Sequence, residues 1–345
     1  MLHTFTKTHI EECRRIIREG SKSFYFASLM LPAQMRIAAT ALYAFCRVSD
    51  DIADTPKATM QSIDRLRERI KKAYAGTPEN HAADCAFSEV VRHYEIPELV
   101  PQSMVEGFEW DIMGKNYETI GDVVDYSARV AGTVGVMMSI VMGRRLENTL
   151  ARACDLGVAM QLINIARDVG EDAHNGRIYL PSEWLEQEGV NTAEFLAEPT
   201  FSNELGRVVE RLLDKADEVY KRGMTGISDL PTSCRPGIRA AGMVYAEIGQ
   251  KVRKNGFNSV DQRAYTTRGR KLSLMLMSTG NPFDTNGADQ SPPLAEVKYL
   301  IDASARDHEN AFGDGEWLIN LFAEMDRRDR EYLERARATA KLDLV

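Results

Sequence analysis

The chain has 345 residues, 44% of them hydrophobic, which suits a sizeable buried core in one large helical domain or two ordinary ones. A formal charge of −8 excludes the broad basic face that nucleic-acid binding needs, while leaving room for a local phosphate site. Five cysteines, odd in number and never in a C-x-x-C pair, point to neither a disulfide framework nor a zinc site and fit a reducing cytoplasm.

Helices are predicted throughout, because apolar residues recur at spacings of three and four: Ile37, Ala41, Leu42, Phe45 and Val48, then Val209, Leu212, Leu213 and Ala216, then Met243, Ile248 and Val252. Glu11 and Glu12 stand where an export signal needs apolar residues, so none is expected. Gly20 closes the first helix, and Pro32 opens one that ends near Asp54. Thr55-Pro56 and Gly76-Thr77-Pro78 bracket another, and Pro97 and Pro101 precede the next.

The weakly polar run 130–143 contains Thr133 and Ser139 between Arg129 and Arg144. It falls short of the roughly twenty apolar residues needed to span a bilayer and is expected to be a buried core helix. Asn175-Gly176 ends a later helix, and residues 281–293, rich in Gly, Asp and Pro, read as a loop. The expected division is therefore a catalytic domain over 1–280 and a polar loop with a C-terminal helical appendage over 281–345. In that appendage Trp317, Leu318, Leu321, Phe322 and Met325 form an apolar stripe, followed by Arg327, Arg328, Arg330 and Arg335. Such a pattern suits packing on the parent domain and also suits lying on an anionic membrane surface.

Two helices carry acidic residues where burial makes them costly. In "ALYAFCRVSDDIADTP", Tyr43, Arg47, Asp50 and Asp54 project within one narrow sector, at about 100° per residue. In "QLINIARDVGEDAHNGRIYLP", Gln161, Asn164, Asp168 and Asp172 do the same. Asp50/Asp54 and Asp168/Asp172 are the only Asp pairs at a spacing of four. A lone D-x-x-x-D is most often a solvated face. Two of them in otherwise apolar helices would repel and take up protons unless cations lay between them. Oxygen ligands without His or Cys nearby select a hard ion, and Mg²⁺ typically bridges one or two carboxylates to a substrate phosphate. Lys22, Arg47, Arg167 and Arg177 could hold the remaining oxygens of a diphosphate.

The stretches "GSKSFYFASLMLP", "LYAFCRVSDDIAD", "DYSARVAGTVG" and "NIARDVGEDAHNGRIYLP" resemble the squalene and phytoene synthase family in order and separation, over roughly residues 10 to 275. Residues 230–275 are most similar to its bacterial phytoene synthase branch. The resemblance implies an all-α isoprenoid-synthase fold, the class I terpenoid synthase helical bundle, with both aspartate motifs facing a central cavity. It implies head-to-head condensation of two geranylgeranyl diphosphates to phytoene through a cyclopropyl (prephytoene) diphosphate, with Mg²⁺ as cofactor and Mn²⁺ as the alternative ion. Carried over residue by residue, it makes Asp50, Asp54, Asn164, Asp168 and Asp172 metal ligands, with Gln161 beside them. Ser21, Ser23, Arg47 and Arg263 match diphosphate contacts, and Tyr43, Tyr126 and Tyr245 match tyrosines lining the reacting centre. One departure is that Ser127 and Arg129 follow Tyr126 where relatives often carry a cysteine and then an aromatic residue. The implied partners are geranylgeranyl diphosphate, the inner membrane face as a peripheral contact from the cytoplasm, and other carotenoid-pathway enzymes, with no nucleic acid.

Three alternatives stand beside this reading. "DDIAD" also fits chain-elongating prenyl synthases and terpene cyclases, but the second motif fits neither. Squalene or dehydrosqualene synthase acting on farnesyl diphosphate differs mainly in chain length, and a reduced product would need NADPH, for which no G-x-G-x-x-G fingerprint is found. The third is a non-catalytic scaffold that binds prenyl diphosphates. Gly132 and Gly135 in "AGTVG" serve either close substrate passage or helix packing.

Overall fold

The computed structural model describes residues 7–55, 57–280 and 287–306, and among these there is no strand. The first part of the bundle comprises α1 (Lys7–Gly20), α2 (Lys22–Ser28), α3 (Ala33–Ala53), α4 (Met60–Tyr74), α5 (Ala82–His93) and α6 (Leu99–Met113). Helix α3 begins directly after Pro32, whose ring presets the backbone for a helix start, and closes at Asp54 as its pattern predicts. Its apolar face is stacked into the core through Phe45 and Phe87 of α5, with ring centroids 3.8 Å apart. Beneath that stack the fully buried Arg69 of α4 grips Asp84 of α5 through two hydrogen bonds of 2.9 and 3.0 Å. Pro101 falls in the first turn of α6, where a missing N–H breaks no helical hydrogen bond.

The second part contains α7 (Ile120–Ser127), α8 (Thr133–Val141), α9 (Glu147–His174), α10 (Ser182–Gln187), α11 (Thr192–Ala197), α12 (Asn203–Thr225), α13 (Arg235–Lys254), α14 (Arg268–Ser278) and α15 (Lys298–Ser304). Helix α9 is the central pillar, packed along α12 on one side and against α8 and α13 on others. That position fits its sequence, in which the buried apolar residues are spread around the helix rather than confined to one stripe.

The single core helix expected over 130–143 is corrected in one respect. A π-helical turn, Ala128–Gly132, links α7 to α8, and Gly143 ends the run with φ +75. The hydroxyl of Thr133 donates to the Arg129 carbonyl at 2.6 Å, satisfying a group that the widened turn leaves free. Gly135 answers the packing half of the alternative posed above, since a Cβ there would lie 2.2 Å from the Ala153 carbonyl oxygen of α9. Gly135→Ala should therefore lower stability by about 1–3 kcal/mol through overpacking, read as a fall in urea midpoint at unchanged slope.

Past residue 280, Val297, Leu300 and Ile301 are buried in the main core. Buried Arg152 of α9 donates to the carbonyls of Asp289 and Ser291 at 2.9 and 3.2 Å. The predicted apolar stripe at Trp317 to Met325 and the arginines after it lie outside the described residues. No described helix is long and apolar enough to cross a membrane.

Candidate active site

Helices α1, α2, α3, α6, α8, α9, α12 and α13 enclose a cavity of about 770 Å³. Its depths are lined by Leu42, Met138, Met142, Leu156, Ile227 and Leu230, a soft apolar wall suited to a long hydrocarbon chain. Its polar rim contains Ser21, Ser23, Tyr43, Arg47, Asp50, Tyr126, Gln161, Asn164, Tyr245 and Arg263, so ten of the residues singled out from sequence converge on one space.

Asp54, Asp168 and Asp172 do not line that space, and Asp168 is tied to it through two residues that do. Arg167 and Arg263, both in the lining, donate to Asp168 at 2.7 and 2.8 Å. Arg177, just past the end of α9, donates to Asp54 at the end of α3 at 2.8 Å, so the ends of the two motifs meet across the bundle. Arg47 pairs with Asp50 at 3.2 Å and with Asp51. Asp50, Asp54 and Asp168 are thus each paired with an arginine.

Burial and the neighbouring Asp54 push the Asp50 carboxyl up to about 7, and burial with Asp168 and Glu171 nearby pushes Asp172 up to about 8. Asp168 goes the other way: burial would raise it, but hydrogen bonds and charge from Arg167 and Arg263 hold it below its ordinary value. Crowded carboxylates of this kind are stabilised as anions by a cation among them. A further oxygen ligand is poised nearby, since the Asn164 amide nitrogen donates to Gln161 at 3.2 Å while its Oδ1 is buried without a partner. The set is oxygen-only, which fits a hard divalent ion. Among the described residues no three His, Cys, Asp or Glu side chains converge on one point.

Aromatic rings surround the rim. Phe24 lies 6.0 Å from Tyr43 and 5.7 Å from Tyr245, ring centre to ring centre. Burial raises the Tyr43 hydroxyl to about 12 and that of Tyr126 well above its ordinary value, so both stay protonated. The Ser21 hydroxyl accepts from the Phe24 N–H at 3.2 Å as the N-cap of α2 and keeps its own proton free to donate.

Three neighbours escaped the sequence reading. Asp111 of α6 accepts from the hydroxyls of Tyr126 and Tyr179 at 2.9 and 2.8 Å, and the two rings stack with centres 4.9 Å apart. Burial lifts Asp111 to about 6 against those two hydrogen bonds. The cost argument applied to Asp50 would have found it, as Asp111 sits among Phe108, Trp110 and Ile112. Tyr179 left no such signal, because tyrosines are common in cores. Lys271 of α14 lines the cavity, and burial with Lys22 and Arg167 nearby lowers its ammonium.

The chain is 46% identical to the phytoene synthase of Rhodobacter capsulatus over 93% of its own length and 97% of that protein. It is 39% identical to the 15-cis-phytoene synthase of Pantoea ananas, over 81% and 93%. Among solved structures, a dehydrosqualene synthase in complex with a ligand superposes with a TM-score of 0.72 at 30% identity, covering 79% of this chain and 95% of the other. The squalene synthase of Alicyclobacillus acidocaldarius gives 0.66 at 25%, covering 73% and 95%. The all-helical bundle is therefore the isoprenoid-synthase fold. With residues 17–270 matching the squalene/phytoene synthase family as a whole, the chain belongs to that family.

Proposed function

We propose that the enzyme joins two geranylgeranyl diphosphates head to head through a cyclopropyl diphosphate to give phytoene, the first step of carotenoid biosynthesis. The observation that carries this reading is that two acidic helices, joined at their ends by the Arg177–Asp54 pair, both line one apolar cavity, through Asp50 on one and Asn164 and Arg167 on the other. Asp50 and Asp54 on one side and Asn164, Asp168 and Asp172 on the other are the residues that would hold Mg²⁺, or Mn²⁺ in its place. Such an ion supplies positive charge that stabilises a departing diphosphate.

The chain's own groups do the rest. Ser21, Ser23, Arg47, Gln161 and Arg263, joined by Lys22, Arg167 and Lys271, bind and orient diphosphate oxygens and take up charge as it develops. The apolar wall keeps water from the allylic cation. Ring faces of Tyr43, Tyr126 and Tyr245 stabilise that cation by roughly 0.5–2 kcal/mol each without trapping it. The Tyr126 hydroxyl donates to Asp111, which fixes the ring and enriches its oxygen in electron density. Asp111 acts through Tyr126 as a positioning residue, and Asp111→Asn should lower kcat about a hundredfold with a smaller change in KM. Unchanged kcat in a folded Asp111→Asn protein would remove that role.

The cytoplasm at the inner membrane face is the proposed workplace, as both substrate and product are lipids. Product identification by mass spectrometry tests the reading. With fifteen- and twenty-carbon diphosphates offered separately with Mg²⁺, the expected result is phytoene from the longer substrate. A thirty-carbon product from the shorter one alone would assign dehydrosqualene or squalene synthesis. Binding without diphosphate release from either would make the protein a scaffold.

A further inference from the structure

We infer that Gly170 of α9 is a positioning residue for Arg263, the cavity-lining cation that meets the substrate diphosphate if the reading proposed above holds. The segment 255–267, between α13 and α14, crosses α9 at Gly170, whose N–H donates to the Ser259 carbonyl at 3.1 Å. A Cβ on Gly170 would lie 2.4 Å from the Val260 carbonyl oxygen and 2.7 Å from its Cα, so only glycine admits the segment this close. The atoms in the way belong to backbone, which cannot turn aside as a side-chain tip can.

From that crossing the segment is led round the helix toward the acidic motif. Glu171 lies about 100° round α9 from Gly170, and Asp168 roughly 60° further in the same sense. Arg263, just beyond Val260, pairs with both, at 2.9 Å to Glu171 and 2.8 Å to Asp168. The Arg263 side chain is 56% exposed, so its aim rests on the backbone that carries it rather than on side-chain packing.

That backbone is pinned on both sides of Arg263. Before it, Gly256 and Phe257 reverse the chain at φ +66 and +61. A phenylalanine holds this left-handed conformation because its side chain packs against the main core and its N–H donates to the Val252 carbonyl at 3.0 Å. The Asn258 side chain then accepts from the N–H groups of Val260 and Asp261 at 3.2 and 3.1 Å. After it, Ala264 is buried in the core and the Tyr265 carbonyl accepts from Lys251 of α13 at 2.8 Å. Arg263 supplies charge, and the seat at Gly170 sets where that charge stands.

Calorimetric titration of inorganic diphosphate with Mg²⁺ into the full-length wild type, Gly170→Ala, Arg263→Gln and the double variant tests the inference. Each single substitution should weaken affinity about tenfold, the effect of losing one charge-assisted hydrogen bond. The double variant should bind no more weakly than Arg263→Gln, because Gly170 acts through that arginine. A general loosening of the fold would weaken binding whether or not Arg263 were present, so losses that multiply in the double variant would overturn the inference. So would undiminished affinity in Gly170→Ala. If Gly170→Ala loses its fold by circular dichroism, Asn258→Ala releases the same segment without altering α9 and should show the same coupling to Arg263; independent effects there would also overturn it. A wild type that binds no inorganic diphosphate would reject the diphosphate reading of the site and this inference with it, whereas normal wild-type binding with an indifferent Gly170→Ala would reject the positioning role alone.

Discussion

Asp168→Asn should reduce turnover at least about a hundredfold while leaving the unfolding midpoint close to wild type. The carboxylate is held by Arg167 and Arg263, and a neutral amide of the same shape keeps hydrogen-bonding capacity but gives up the charge. Folding loses little, because the amide still offers a hydrogen-bond acceptor to both arginines and Arg263 already reaches Glu171 at 2.9 Å. Turnover loses much, since the charge that would anchor a cation against the leaving diphosphate is gone. Steady-state rates beside a chemical denaturation curve make the comparison, and near-normal turnover in a folded variant would contradict the metal role proposed for Asp168.

The second large effect is on stability. Asp84→Ala should lower it by about 3–5 kcal/mol, because it leaves the Arg69 guanidinium buried without its counter-charge. Arg69 has 3% and Asp84 1% side-chain exposure, and Arg69 Nη1 already has no hydrogen-bond partner. The guanidinium also sits 5.3 Å from the Phe45 ring centre, so its displacement would disturb the packing of the helix that carries Asp50 and Asp54. Guanidinium chloride denaturation measures the difference, and a loss under about 1 kcal/mol would show the pair to be dispensable.

How far the sequence spoke depended on whether a residue's cost was visible locally. The limits of α3 followed from Pro32 and the apolar spacing up to Asp54, and the paired aspartates announced themselves because charge is expensive in apolar helices. The π-helical turn at Ala128–Gly132 was not legible: its sequence is ordinary for an α-helix, and only packing against α6 and α9 selects the wider turn. Helix α15 was hidden for a related reason, since a short run such as Val297, Leu300 and Ile301 gains its burial from a distant part of the chain. Lys271 reads as one cation in a basic run, and the cavity that gives it meaning is assembled from helices far apart in sequence.

The two acidic helix ends should act as one site for divalent ions and diphosphate. Mn²⁺ binding followed by electron paramagnetic resonance, with and without a non-hydrolysable geranylgeranyl thiodiphosphate, tests it most directly. The expected result is Mn²⁺ uptake that depends on the diphosphate and is lost alike in Asp50→Asn and Asp168→Asn. Uptake that persists unchanged in both variants would contradict it.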